Sequence, residues 1–275
     1  MPSLPVRLLS FFLILSCLFT FSVTPALAAV TYLYDANGNM TSDGTKCYEY
    51  NQANKLTKVK KCSNNETIAE YVYDHSGKRL VKKEYENGTL KKTTFSPNDE
   101  YETVKTEATG ATANTTYYEA NDELIAKKKP DGNKVYYHND HLHSTSVLTD
   151  QNGNLVEKTT YEPYGEVKSG GIASKYGFTG QEKDMETGLS YYDARYYDPH
   201  LKRFIQPDTL LPDVYDPQQL NRYAYARNNP LKYTDPTGHN LWNVITSVIN
   251  VVQKVWNYVK AIIKPAAKNE PKALP

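Results

Sequence analysis

The stretch DARYYDPHLKRFIQPD, Asp193 to Asp208, gathers three aromatics, three basic residues and three aspartates into sixteen positions. That is more charge than a core strand carries and more aromatic surface than a linker needs. Further carboxylates follow at Asp213, Asp216 and Asp235. Aspartate before Pro or Thr is also a plain turn initiator, its side-chain oxygens accepting from local amides. A second cluster, HNDHLH, holds His138, Asp140, His141 and His143. On a strand, His141 and His143 share one face, as metal ligands can. No third and fourth ligand can be named, so the expectation is no metal and no cofactor. The third group is Cys47 and Cys62, which flank CYEYNQANKLTKVKKC. The middle of that segment can turn at Gln52 to Asn54 between two short strands, giving either a hairpin disulfide or two unpaired thiols on opposite faces.

The elements that must position these groups read as β-structure. Three Tyr-x-Tyr pairs, in TYLYDANGN at Thr31, CYEYNQANK at Cys47 and EYVYDHSGKR at Glu70, each run into a turn of Asp, Asn, Ser or Gly. Tyrosines two apart share one face of a pleated strand, and Asn-Gly or Ser-Gly supplies the positive φ of a tight hairpin. More turns follow at Glu86-Asn87-Gly88, Pro130 to Asn133 and Gln151 to Asn154. Helical periodicity is missing over nearly all of Val30 to Gly238.

The two ends differ from this body. Residues 1–29 hold one charged side chain, Arg7, then the apolar run Leu8 to Val23 and Ala26-Leu27-Ala28, the pattern of a signal peptide. The run is shorter than the roughly 20 residues of a spanning helix, so the expectation is export to the outside, the periplasm or the cell surface. In the tail, Leu241, Ile245, Val248, Val252, Val255, Val259 and Ile262 fall on one side of a helix that Pro265 stops. Residues Asn240 to Pro275 carry +4, against −4 for Val30 to His239. This helix either docks on the β core or lies on an anionic membrane surface. Without its leader the chain has 31 basic and 31 acidic residues, which argues against a nucleic-acid surface.

From Lys134 the text becomes specific. KVYYHNDHLHSTSVLTDQNGNLVEKTTYEPYGE, YGFTGQEKDMETGLSYYDARYYDPHLKRFIQPD and LNRYAYARNNPLKYTDPTG together resemble the RHS repeat-associated core, and the upstream segments resemble its YD repeats. In that family's text a glycine stands where His143 stands here. The resemblance implies an all-β fold: YD-repeat antiparallel hairpins in a spiralling or partly closed sheet, with the core as a plug, plus here the one C-terminal amphipathic helix. The resulting organisation is 1–29 signal peptide, 30–133 YD-repeat-like hairpins, 134–239 RHS core and 240–275 variable tail.

The resemblance also implies self-cleavage by an aspartyl mechanism. By position, Arg203 and Asp208 match the family's arginine and first aspartate, and Asp235 of TDPTG matches the second. Two carboxylates held close cannot both ionise, so one serves as acid while the other activates water. The implied cut is His239 to Asn240. Two departures stand out: Asp213 and Asp216 are rival carboxylates, and His239 replaces the usual leucine. Three functions follow as expectations: foremost an exported β-scaffold binding cell-surface glycans or proteins; next a small self-cleaving toxin carrier releasing a membrane-active helix; last a remnant of a longer RHS toxin. The aromatic residues Tyr191, Tyr192, Tyr196, Phe204, Tyr223 and Tyr225 are expected in the core.

Overall fold

The computed structural model describes residues 31–121, 123–210, 215–239, 242–243 and 256. The expected signal peptide and most of the expected tail helix lie outside the described residues. Thirteen strands, from Leu33–Tyr34 to Leu155–Lys158, pair antiparallel in strict chain order to form one sheet. A four-stranded sheet follows, made of Glu182–Lys183, Ser190–Tyr192, Arg195–Asp198 and Arg203–Phe204. The body is mostly β, as the alternating aromatic segments predict.

The hairpins share one turn chemistry. Asp35, Asp74 and Asp150 each accept with Oδ1 from the amides two and four residues on, at 2.8 to 2.9 Å. The residue three positions on is Gly38, Gly77 or Gly153, at φ +86°, +86° and +83°. That conformation costs an L-residue about 1 to 2 kcal/mol and glycine nearly nothing. Asp140 builds the same turn, accepting from Leu142 N at 2.8 Å and Ser144 N at 2.9 Å, with His143 in the glycine position at φ +66°. This corrects the expectation of two histidines on one strand face: His141 and His143 belong to a turn. Among the described residues no group of three or more His, Cys, Asp or Glu could hold a metal ion. Cys47 and Cys62 form a disulfide with Cα atoms 5.1 Å apart, across the hairpin that contains them.

Period-two alternation gives the small sheet two buried faces. Tyr191, Tyr196 and Ile205 pack against Met40, Tyr48, Leu56, Val59 and Tyr71 of the early strands. Tyr192, Tyr197 and Phe204 join Leu142, Phe178 and Tyr225 on the other side. Five of the six expected core aromatics are at most 8% exposed; Tyr223 is only partly buried and donates to Gly38 O at 2.7 Å. Both early and late strands touch the segment beyond Gly171, since Lys46 Nζ reaches Thr187 O (2.7 Å) and Lys127 Nζ reaches Ala173 O (2.5 Å). The large sheet therefore bends around the core segment.

A buried ionic cluster ties the two sheets together. Arg79 Nη1 pairs with Asp184 Oδ2 at 2.7 Å and donates to Tyr196 Oη at 3.0 Å, while Nη2 pairs with Glu182 Oε1 at 2.5 Å. Its guanidinium also lies 4.4 Å from the Tyr191 ring centroid. Such pairing is what allows charges to be buried at all.

Candidate active site

The site is built at the end of the core segment, where three pieces of chain converge. Arg195 opens the strand Arg195–Asp198, after a two-residue turn in which Asp193 takes φ +46°. Its register pairs Tyr197 with Phe204 and Asp198 with Arg203. Arg195, Tyr197 and Phe204 thus share one face, and the Arg195 guanidinium lies 3.7 Å from the Phe204 ring centroid. The side chain is 5% exposed. Burial pulls its pKa down, and the neighbouring carboxylates of Asp208 and Asp235 partly offset that effect.

Every nitrogen of Arg195 is used. Nε donates to Gly238 O at 2.5 Å, and Nη1 donates to Arg222 O at 3.0 Å. Nη2 lies 3.1 Å from both Asp208 Oδ2 and Asp235 Oδ2. Asp208 Oδ1 accepts from Leu210 N at 2.9 Å and is bonded to His239 Nδ1 at 2.8 Å. Arg195, Asp208, Leu210, Asp235 and His239, with Gln218, Gln219, Asn221, Arg222 and Arg227, line a cavity of about 310 Å³.

The aspartates Asp208 and Asp235 and the histidine at the expected cut, His239, therefore come together. Arg203 does not join them. As the neighbour of Phe204 it points to the opposite face of its strand, where its guanidinium stacks 4.5 Å from the Tyr223 centroid and 5.9 Å from that of Tyr34. The arginine between the carboxylates is Arg195, which the sequence reading missed. The parity of the strand could have found it, because only a residue an odd number of positions from Arg203's hairpin partner shares the Phe204 face. Of the rival carboxylates, Asp216 pairs with Arg227 and caps the turn Pro217–Gln219 through Gln218 N at 3.1 Å. Asp213 and Asn240 lie outside the described residues.

The segment Asp235 to His239 is held residue by residue. Pro236 O accepts from Gln181 Nε2 at 2.9 Å, and Thr237 O accepts from Ala194 N at 3.2 Å. Gly238 takes φ +74°, and a Cβ there would meet Tyr192 O at 2.4 Å, so no other residue fits this turn. The chain then doubles back: Thr234 pairs with Trp242 and Tyr233 with Asn243 in a two-stranded ladder. The expected helix, placed from Leu241, thus gives way at its start to a strand at Trp242–Asn243. The expected cut falls inside the hairpin loop.

Comparison with known proteins supplies the family context. The family model described as teneurin YD-shell matches residues 24–231. The chain is 31% identical over 224 residues to the tRNA nuclease WapA of Bacillus subtilis (strain 168), a match covering 78% of this chain and 9% of that protein. It is 36% identical over 121 residues to the toxin subunit YenC2 of Yersinia entomophaga, covering 40% of this chain and 12% of that one. The crystal structure of TcdB2-TccC3-Cdc42 is similar with a TM-score of 0.64 at 22% identity, over 76% of this chain and 11% of that chain. The last likeness concerns the fold. The chain spans about a tenth of the length of these curated relatives.

Proposed function

Because the chain belongs to the teneurin YD-shell family, we propose that this toxin-related β-scaffold is exported and hydrolyses its own His239–Asn240 bond, separating the β body from Asn240 to Pro275. The observation that supports this reading is one Arg195 nitrogen 3.1 Å from both Asp208 Oδ2 and Asp235 Oδ2, beside a His239 bonded to Asp208. In the step, one carboxylate takes a proton from water as the water oxygen bonds to the His239 carbonyl carbon. The other carboxyl, entering protonated, gives its proton to the Asn240 nitrogen as the amide bond breaks. One water is consumed, leaving a His239 carboxylate and an Asn240 amine. Arg195 keeps the charge of the ionised partner neutralised in a site where solvent contributes little.

The signal-peptide-like pattern of residues 1–29 and the Cys47–Cys62 disulfide both suit an oxidising compartment outside the cytoplasm. After the cut, the freed tail would be held through the ladder of Tyr233–Thr234 with Trp242–Asn243, a contact short enough to open. The tail then docks again on its own body or passes to a membrane surface. The nuclease named in the Bacillus relative describes a protein of which this chain matches 9%, and we propose no nucleic-acid partner here.

A second reading, a scaffold binding glycans or proteins at a surface, draws on the outer face of the large sheet. There Tyr118 and Tyr136 flank Ala126 in register and are 41% and 40% exposed. Ring faces so presented can stack on sugars or partner loops. The full chain carrying a tag at each end separates the two readings. On a gel, wild type gives two fragments and D208N or D235N gives one band. One band from all three leaves the scaffold reading alone.

A further inference from the structure

In an Asn-Gly step the glycine nitrogen can reach the asparagine side-chain carbonyl, because glycine has no Cβ to crowd the approach. The chain holds three such steps, Asn37-Gly38, Asn87-Gly88 and Asn152-Gly153. All three asparagines are exposed, so access to water does not separate them. Their turns do. Gly38 N donates to Asp35 O at 3.0 Å and Gly153 N to Asp150 O at 3.1 Å. The two carboxylates hold the amides on either side, Asp35 those of Asn37 and Asn39 at 2.9 Å, Asp150 those of Asn152 and Asn154 at 2.8 Å. Asn37 Nδ2 is tied as well, donating to Asn54 Oδ1 at 2.8 Å.

Asn87-Gly88 is built differently. It is the two-residue turn between the strands Arg79–Glu86 and Thr89–Asn98, which pair Glu86 with Thr89. Asn87 takes φ +50° and Gly88 φ +71°, as a tight hairpin turn requires. Tyr85 stands where the other two turns have their aspartate. Among the described residues, neither Gly88 N nor the Asn87 side-chain amide has a hydrogen-bond partner.

We propose that Asn87 is a self-modification site, which deamidates in the folded protein while the aspartate turns protect Asn37 and Asn152. Gly88 N gives its proton to solvent and bonds to Asn87 Cγ. The Cγ–Nδ2 bond breaks, and Nδ2 takes a proton from solvent and leaves as ammonia. Water then opens the five-membered succinimide ring at either carbonyl, leaving aspartate or isoaspartate; one water is consumed and one ammonia released. In the other two turns the attacking nitrogen is already donating to a carbonyl, and the aspartate bonds must break before the backbone can turn to the attack geometry. Either product places a new negative charge beside Glu86, in a turn where a Cβ on Gly88 would lie 3.9 Å from Glu66 Cγ. Isoaspartate also lengthens the backbone of a two-residue turn, which disturbs the pairing of Glu86 with Thr89.

The test incubates the full chain at mildly alkaline pH in ¹⁸O-labelled water, folded or in denaturant. It is then digested, and each Asn-Gly peptide is read by mass for loss of ammonia and gain of one heavy oxygen. In the folded wild type, Asn87 is expected to convert about tenfold or more faster than Asn37 or Asn152, the worth of one hydrogen bond to a charged group. In denaturant the three rates are expected to converge. Asp150→Ala is expected to bring Asn152 up toward the rate of Asn87 and to leave Asn37 slow, and the slow Asn37 shows in the same sample that the body is still folded. If Asn87 converts no faster than the other two in the folded chain, the site is overturned. If the same ratio persists in denaturant, or Asp150→Ala leaves Asn152 as slow as before, the protection by the aspartate turns is overturned.

Discussion

Arg195 Nη2 lies 3.1 Å from Asp235 Oδ2, with both side chains 5% exposed. Removing one partner of a buried pair leaves the other charge uncompensated, at a cost of about 3 to 5 kcal/mol. Arg195→Ala is therefore expected to stop cutting and to destabilise the body by that amount in denaturant titrations. Arg203→Ala loses stacking on Tyr223 and Tyr34 and is expected to cost about 1 kcal/mol with cutting retained. Equal loss of cutting in both variants would restore the role first expected for Arg203.

The fold itself was readable because its signals are local. Each Tyr-x-Tyr pair and each Asn-, Asp- or Ser-Gly turn acts within a few residues, so an array of antiparallel hairpins was legible, while the thirteen strands in chain order come from the structure. The two aspartates were readable through the resemblance, since Asp208 and Asp235 occupy matching positions. The arginine was not, because the choice between Arg195 and Arg203 depends on which face of a strand each residue takes, and a shift of one position reverses it. The histidine turn was hidden for a similar reason: HNDHLH looks like strand text until Asp140 is seen capping two amides.

Arg79 joins Asp184 and Glu182 across more than 100 residues of chain. It holds the early strands to the core segment, so Arg79→Ala is expected to lower stability by about 3 to 5 kcal/mol. Arg79→Met, which replaces the charge with apolar volume, leaves Asp184 with Lys82 at 3.1 Å and should still destabilise. A melting temperature unchanged in both would show that the cluster does not hold the two sheets together.

Glu186 gives the body a pH dependence. Burial, then the charge of Asp184, pushes its carboxyl up to about 7, with Lys82 opposing. Between its ordinary value near 4.5 and 7, the folded state binds a proton that the unfolded chain has lost. Stability from this group is fully present below pH 4.5 and is lost as pH rises through 7. Glu186→Gln is expected to gain up to about 3 kcal/mol over wild type at pH 8 and nothing near pH 4. A constant difference across that range would contradict the assignment.

His143 holds a glycine's place at φ +66°. Relieving it should help, so His143→Gly is expected to raise stability by about 0.5 to 1 kcal/mol. Zinc added to wild type is expected to leave the melting temperature unchanged. A rise with zinc that His143→Gly abolishes would reinstate the metal reading.

The central claim is hydrolysis of one bond by Asp208 and Asp235, and the most direct measurement is the intact mass of the full chain synthesised in ¹⁸O-labelled water at acidic and neutral pH. The account predicts two masses that part at His239–Asn240, with one heavy oxygen in the new His239 carboxylate, and a single uncut mass for Asp235→Asn. A wild-type chain that stays whole at every pH, or a cut elsewhere that Asp235→Asn does not affect, would contradict it.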